Sequence, residues 1–296
     1  MKVLIALGAL VFVLNFLIWL TDRPVTMPMF SVSPDEKYIA FDAVRRGKSG
    51  VYVWDVERQT TRYLGLGSAP AWVPQRDEVI VVRDAGLTAI KLDGSGERQL
   101  TDGQSAHDYL PSVDAAGEWV LFRRSTRYHA PIWTAQDAWR MPVAGGMPEQ
   151  VTHESVAYGM SPRIFPDGER LAYVNSSPDK TTIHVYVADM SGKTLSSFHG
   201  RDPCPSPSGD LMTYLTSEGL LVSDLQGTDP RLLIAEIQYQ YVPWNPIFSA
   251  DGQHIYVRTG SPAEIGVLQR LRPDGTELTE VISAEVLRRP WWFHER

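Results

Sequence analysis

The chain has one cysteine, Cys204, so no disulfide can form within it, and this count neither demands nor excludes an oxidising compartment. Basic residues never cluster in runs longer than two, and the formal net charge is −7. Nucleic acid is therefore not an expected partner, since phosphate contacts need a positive face. There is no Gly-x-Ser-x-Gly elbow, no P-loop and no paired-glycine dinucleotide fingerprint. Those absences remove the common signatures of serine hydrolases and nucleotide-dependent enzymes, and no cofactor is expected. Asn175-Ser176-Ser177 is a formal glycosylation triplet, of a kind common by chance.

Long apolar runs are also missing, with one exception at the N-terminus. Val3 to Leu20 is broken only by Gly8 and Asn15. As a helix it would be about 27 Å long, close to the thickness of a bilayer core. A cleaved signal would have a shorter apolar region followed by small residues. Here the run ends in Leu17-Ile18-Trp19-Leu20. The expectation is an uncleaved signal anchor over residues 1–22, with Trp19 at the membrane interface. Lys2 and the amino terminus carry the positive charge, so the remainder of the chain is expected to be exported.

What the sequence does have is a repeat. Ser33-Pro34-Asp35-Glu36, Pro74-Gln75-Arg76, Ala115-Ala116-Gly117, Pro166-Asp167-Gly168, Pro207-Ser208-Gly209 and Ala250-Asp251-Gly252 end at residues 36, 76, 117, 168, 209 and 252. The steps are 40, 41, 51, 41 and 43 residues. Six residues before the end of each unit stands a proline in five copies: Pro70, Pro111, Pro162, Pro203 and Pro246. Each unit is followed by a β-rich run such as Val79-Ile80-Val81-Val82 or Leu171-Ala172-Tyr173-Val174. A period near 40 with strand-rich units predicts an all-β, six-bladed propeller of four-stranded antiparallel blades. The propeller is expected over residues 23–284, preceded by one transmembrane helix and followed by an aromatic tail at 285–296. Third strands are predicted near Val51, Leu87, Trp139, Ile183, Leu220 and Gly266. Asp93-Gly94, Ser191-Gly192, Gln226-Gly227 and Asp274-Gly275 have the composition of tight hairpin turns. With strand A of each blade on the channel, the A–B and C–D turns share one face and the D–A and B–C loops the other. How the ring closes is left open: blade one packs on blade six, or terminal residues add to an edge.

The pattern of proline, Ser-Pro-Asp-Gly, an Ile-Ala-Phe-like strand and a Leu-Thr ending resembles the TolB-like propeller family. It is carried here by Ser33-Pro34-Asp35 with Tyr38-Ile39-Ala40-Phe41, by Phe165-Pro166-Asp167-Gly168 with Leu171-Ala172-Tyr173, and by Leu100-Thr101. It covers roughly residues 28–283. The resemblance implies a periplasmic protein that binds other proteins, and with the anchor it implies the bacterial inner membrane. The family motif residues make turns and strands, so they do not by themselves imply an activity.

Candidate site residues lie outside the motif. The 51-residue step places an insert around Ser125 to Ala138, in the B–C connection of blade three. Tyr128 and Trp133 in it are expected as partner anchors, the alternative being that Trp133 folds back onto its own blade. Trp291, Trp292 and Phe293 follow Arg288-Arg289 and are expected at a partner, at the membrane or on the edge of blade six. The resulting expectation is a non-enzymatic interaction module whose partners are other envelope or membrane proteins. The alternative is a lyase-like or ligand-binding propeller. In it His107, His153 and His199, on neighbouring D–A loops, hold a metal at the channel mouth.

Overall fold

The computed structural model describes residues 29–45, 48–125, 136–153, 161–177, 179, 181–236, 242–260 and 266–283. Val3 to Leu20, Trp19, Tyr128, Trp133, Trp291, Trp292 and Phe293 lie outside them. Among the described residues no helix is long and apolar enough to cross a membrane.

Six four-stranded antiparallel sheets are formed, each from one continuous stretch of chain. Blade one is β1 (Phe30–Val32), β2 (Tyr38–Arg45), β3 (Lys48–Asp55) and β4 (Thr60–Leu66). Blade two is β5 (Ser68–Val73), β6 (Glu78–Arg83), β7 (Gly86–Lys91) and β8 (Glu97–Gln99). Blade three is β9 (His107–Val113), β10 (Trp119–Ser125), β11 (Asp137–Pro142) and β12 (Glu149–Gln150). Blade four is β13 (Arg163–Ile164), β14 (Arg170–Ser176), β15 (Ile183–Asp189) and β16 (Thr194–His199). Blade five is β17 (Arg201–Pro205), β18 (Leu211–Thr216), β19 (Gly219–Asp224) and β20 (Arg231–Ala235). Blade six is β21 (Val242–Phe248), β22 (Ile255–Gly260), β23 (Val267–Leu271) and β24 (Thr279–Ile282).

The core is split into six apolar clusters, one between each pair of neighbouring blades. This explains why strand B reads as a continuous apolar run: both of its faces are buried. In β6, Val79 and Val81 pack towards blade one while Ile80 packs towards blade three. The ring closes in the same way. Phe30, Ile39, Phe41, Tyr52 and Trp54 of blade one share a cluster with Tyr256, Leu268 and Ile282 of blade six. Among the described residues, closure is therefore by packing, with no strand exchanged between the ends.

The repeated unit is the A–B turn, and its geometry is constant. The N–H of residues 36, 76, 117, 168, 209 and 252 donates to the carbonyl three residues earlier in all six copies. Five of those residues have positive φ, between 57° and 73°. The second copy differs, because Gln75 rather than Arg76 takes the positive φ (61°). The serine or aspartate that opens the turn then accepts the N–H of the residue opening or just preceding strand B. The pairs are Tyr38 to Ser33 (2.9 Å), Trp119 to Asp114 (2.9 Å), Leu211 to Ser206 (3.0 Å) and His254 to Ser249 (2.9 Å). The motif is therefore consumed by local bonding of the Asx and Ser/Thr type. Ser177 and Asp179 repeat the bonding (2.5 Å) in the B–C connection of blade four, where no repeat begins.

The in-phase prolines mark a bulge. In four blades two residues of strand A oppose one of strand B: Ala69-Pro70, Leu110-Pro111, Asp202-Pro203 and Asn245-Pro246. The residue before each proline has φ of 49° to 52°. Strand A is an edge strand, and a bulge is where a residue without an N–H fits. Left-handed non-glycine residues cost about 1–2 kcal/mol each, so four in phase are held by their surroundings.

Two boundaries differ from the sequence expectation. Ser125, Asp137 and Ala138 belong to β10 and β11, so the insert of blade three is shorter than 125–138. The fourth strand expected for blade one is β4, which contains Gly65, and Gly67 alone links it to β5. His199 ends β16 and is not in a D–A loop, because Gly200 alone (φ 152°) makes the link to β17. A Cβ on Gly200 would stand 2.6 Å from Tyr214 Cδ2.

Candidate functional site

The first strands of all six blades surround a cavity of about 310 Å³ that opens between the A–B turns. Its rim is Pro34, Pro74, Ala115, Pro166, Pro207 and Ala250, the same turn position in each copy. Below the rim come Val32, Trp72, Val113, Ile164, Pro205 and Phe248. The wall is therefore apolar over most of its area, with one cation, Arg163, among the lining residues. This is the general form of a small-molecule or peptide pocket.

Arg163 reaches from blade four across the channel to blade six, where Nη2 donates to Asn245 Oδ1 at 2.6 Å. Behind it stands Asp202 of blade five, paired with Arg201 at 3.3 Å. Arg201 in turn lies 5.0 Å over the Trp244 ring. Burial pushes the Asp202 carboxyl above its ordinary value, and the nearby Arg201 and Arg163 charges oppose that rise. Asn245 Nδ2 and Ser161 Oγ are buried without a hydrogen-bond partner among the described residues. Ser161, Asp202 and Asn245 hold the same repeat position as Ala69 and Leu110. One half of the channel at this level is thus polar and the other apolar. Burial also raises the Cys204 thiol, which lines the same cavity.

A second set of charges lies in strand B, where the sequence shows them as breaks in apolar runs. Asp42, Arg123 and Arg258 each stand six residues after the end of the turn, and all three are buried. Asp42 accepts N–H groups from Met29 (3.0 Å) and Ala69 (2.6 Å). Its carboxyl is nevertheless raised to about 6 by burial. Arg123 is lowered to about 10 by burial, and Arg258 moves in the same direction.

The three histidines singled out from the sequence have separate surroundings. His107 opens β9 with Nδ1 3.0 Å from the Tyr109 hydroxyl. His199 meets His184 edge-on at 6.2 Å. His153 is exposed. Among the described residues one group has three metal-ligating atoms within 4.8 Å of one another, and it is Glu36, Asp251 and His254. The first lies in the turn of blade one and the others at the turn of blade six. Sequence reading missed it because only ring closure brings the two turns together.

The chain is 30% identical over 123 residues to Autophagy-related protein 18 of Dictyostelium discoideum, a match spanning 42% of this chain and 29% of that one. Its fold is similar to that of a TolB-type protein from Agrobacterium tumefaciens, with a TM-score of 0.65 and 16% identity over 79% of this chain and 88% of that one. TolB from Acinetobacter baumannii gives a TM-score of 0.63 and 16% identity, over 86% of this chain and 62% of the other. An oligogalacturonate lyase in complex with manganese gives 0.55 and 13%, over 89% and 91%. At these identities the structures share the fold, and the lyase shows that the fold also carries enzymes. The model of the TolB β-propeller domain matches residues 15–247. The chain belongs to the TolB β-propeller domain family.

Proposed function

We propose that this chain is a non-enzymatic, membrane-anchored, exported propeller that binds other envelope or membrane proteins as a subunit of a larger complex. The observation that carries the proposal is how the repeat spends its polar residues. Most serines and aspartates of the family motif are taken up by bonds within their own turns and carry no catalytic machinery. Their work is to hold six blades in a rigid ring that presents loops. The binding residues then belong to what interrupts the repeat: Tyr128 and Trp133 in the insert, and Trp291, Trp292 and Phe293 in the tail. An aromatic residue buried at the centre of an interface is worth about 2 kcal/mol or more. The test is mild detergent extraction followed by identification of co-purifying proteins, with Trp133→Ala/Tyr128→Ala beside the parent chain. The double variant is expected to fold and to lose its partner. A partner retained at full affinity would remove this surface from the proposal.

A second reading, a ligand-binding channel, is favoured by the unpartnered Asn245 Nδ2 near Arg163 at the apolar cavity. A group with an apolar body and a carboxylate matches those walls. Nuclear magnetic resonance or calorimetric titration with short carboxylic acids distinguishes the two readings, since an interaction module has no need of them.

A further inference from the structure

We propose that Glu36, Asp251 and His254 form a binding site for a divalent transition-metal ion of the zinc type, which clasps the first blade to the sixth. His254 Nδ1 lies 3.1 Å from Glu36 Oε2 and 3.3 Å from Oε1. The ligand atoms of all three residues lie within 4.8 Å of one another. One imidazole and two carboxylates make a three-ligand set, and a water completes four-coordination. Nitrogen with oxygen suits zinc and its first-row neighbours better than calcium or magnesium, which take oxygen alone.

Two features beyond proximity support a site. The carboxylates are oriented from behind, as metal-binding carboxylates usually are. Tyr256, itself buried, donates its hydroxyl to Glu36 Oε2 at 2.5 Å. Ser249 Oγ and the Gln253 N–H both donate to Asp251 Oδ1, at 2.6 and 2.9 Å. One oxygen of each carboxylate is thereby held, and Asp251 Oδ2 is left to a cation. The second feature is the choice of residue. Copies three to six place glycine at the positive-φ position of the turn, as Gly117, Gly168, Gly209 and Gly252. Copy one places Glu36 there, at φ 57°. A carboxylate kept in a conformation that favours glycine points to a use for its side chain.

The location gives the site a role distinct from partner binding. Five junctions between blades are crossed by the chain, and the junction of blades six and one is crossed by side chains. At the four–five junction the residue two after the turn, Arg170, reaches the Gly209 carbonyl of the next turn at 3.2 Å. His254 stands in that same relation to Glu36. Here both partners are metal ligands, so an ion can replace a simple hydrogen bond by a three-point bridge. Binding to the folded ring and not to its opened form raises stability as the metal concentration exceeds the dissociation constant.

The experiment uses the full chain, treated with chelator, in thermal unfolding and calorimetric titrations with zinc chloride alone. Magnesium and calcium chlorides serve as controls. Expected are one zinc per chain, a saturable rise in Tm, and little response to the controls. Asp251→Asn, at an exposed position, and His254→Gln are expected to weaken zinc binding at least tenfold. His199→Gln, remote from the seam, leaves it unchanged. Tyr256→Phe, which alters a positioning residue, still binds zinc but about tenfold more weakly. Absence of stoichiometric zinc in the parent chain overturns the proposal. So does an unchanged zinc response in both Asp251→Asn and His254→Gln, which would leave the Glu36–His254 contact a plain hydrogen bond.

Discussion

The Asp42 carboxylate of blade one accepts the Ala69 N–H of blade two at 2.6 Å, and so holds the strained bulge of its neighbour. The bond is made by a group whose carboxyl is raised to about 6 by burial. The native state therefore holds this proton between about pH 4 and 6, where the unfolded chain has lost it. Stability from this group is present below pH 4 and falls as the pH rises through 6. The shift of about two units corresponds to about 3 kcal/mol. Denaturant unfolding of the parent chain is expected to show that decline, and Asp42→Asn to flatten it. A parent chain whose stability is level between pH 4.5 and 7 contradicts this account.

The turn aspartates act in the opposite direction. Asp179 is lowered to about 2, and Asp189, Asp224, Asp251 and Asp274 are lowered, each chiefly by a serine or threonine hydroxyl. Their contribution is present above the ordinary aspartate value and is lost as the pH falls below it. Together with Asp42 they place maximal stability near about pH 4 to 5. A Tm profile measured from pH 3 to 8 locates the maximum directly.

Arg163 is expected to be structural at neutral pH as well as part of the channel wall. Arg163→Met leaves the Asp202 carboxyl buried with less positive charge nearby and removes the bond to Asn245. The loss is estimated at about 3 kcal/mol at pH 7. It should shrink in acid, where Asp202 is protonated, and Asp202→Asn in the same chain should recover much of it. Equal losses with and without Asp202→Asn would show that the effect is packing and not charge.

Gly200→Ala is expected to destabilise by about 2 kcal/mol or more. The residue forms the whole link between β16 and β17, with positive φ and no room for a Cβ beside Tyr214. Gly94→Ala, in an open hairpin turn with nothing within 4 Å of the new methyl, should cost less. Comparing the two Tm values separates contact from backbone strain.

The anchor gives a simpler measurement. If residues 3–20 remain attached, N-terminal sequencing of the mature protein starts at or near Met1, and extraction requires detergent. A start near Thr21 or Asp22, with release in buffer, would make the segment a cleaved signal.

The fold was legible in the sequence because a propeller blade is specified locally. The Asp167-Gly168 turn, the strand that follows it and the Ser191-Gly192 hairpin lie within a few dozen residues, and each bears its own residue signature. Pro70 and its equivalents were visible as a period. The left-handed residue ahead of each was not, because Ala69 and Leu110 carry no sign of that conformation. Arg123 and Arg258 were visible as charges in apolar runs and passed unread. The seam group was beyond local reading: Glu36 and His254 are 218 residues apart. Only superposing the six repeats, and then joining the last to the first, sets them side by side.

Each blade being one unbroken stretch of chain has a consequence for where a gene for this ring has to start. The natural links from one blade to the next are as short as the single residues Gly67 and Gly200. A linker from Ile282 back to Phe30 would add a sixth link of the same kind, and a cut at Gly67 would then make blade two the first and blade one the last. The permuted polypeptide would encode the same six-fold ring. Its Glu36 turn would be joined covalently to the blade behind it, and the junction of Tyr38 with Trp72 would inherit the task of closing the circle.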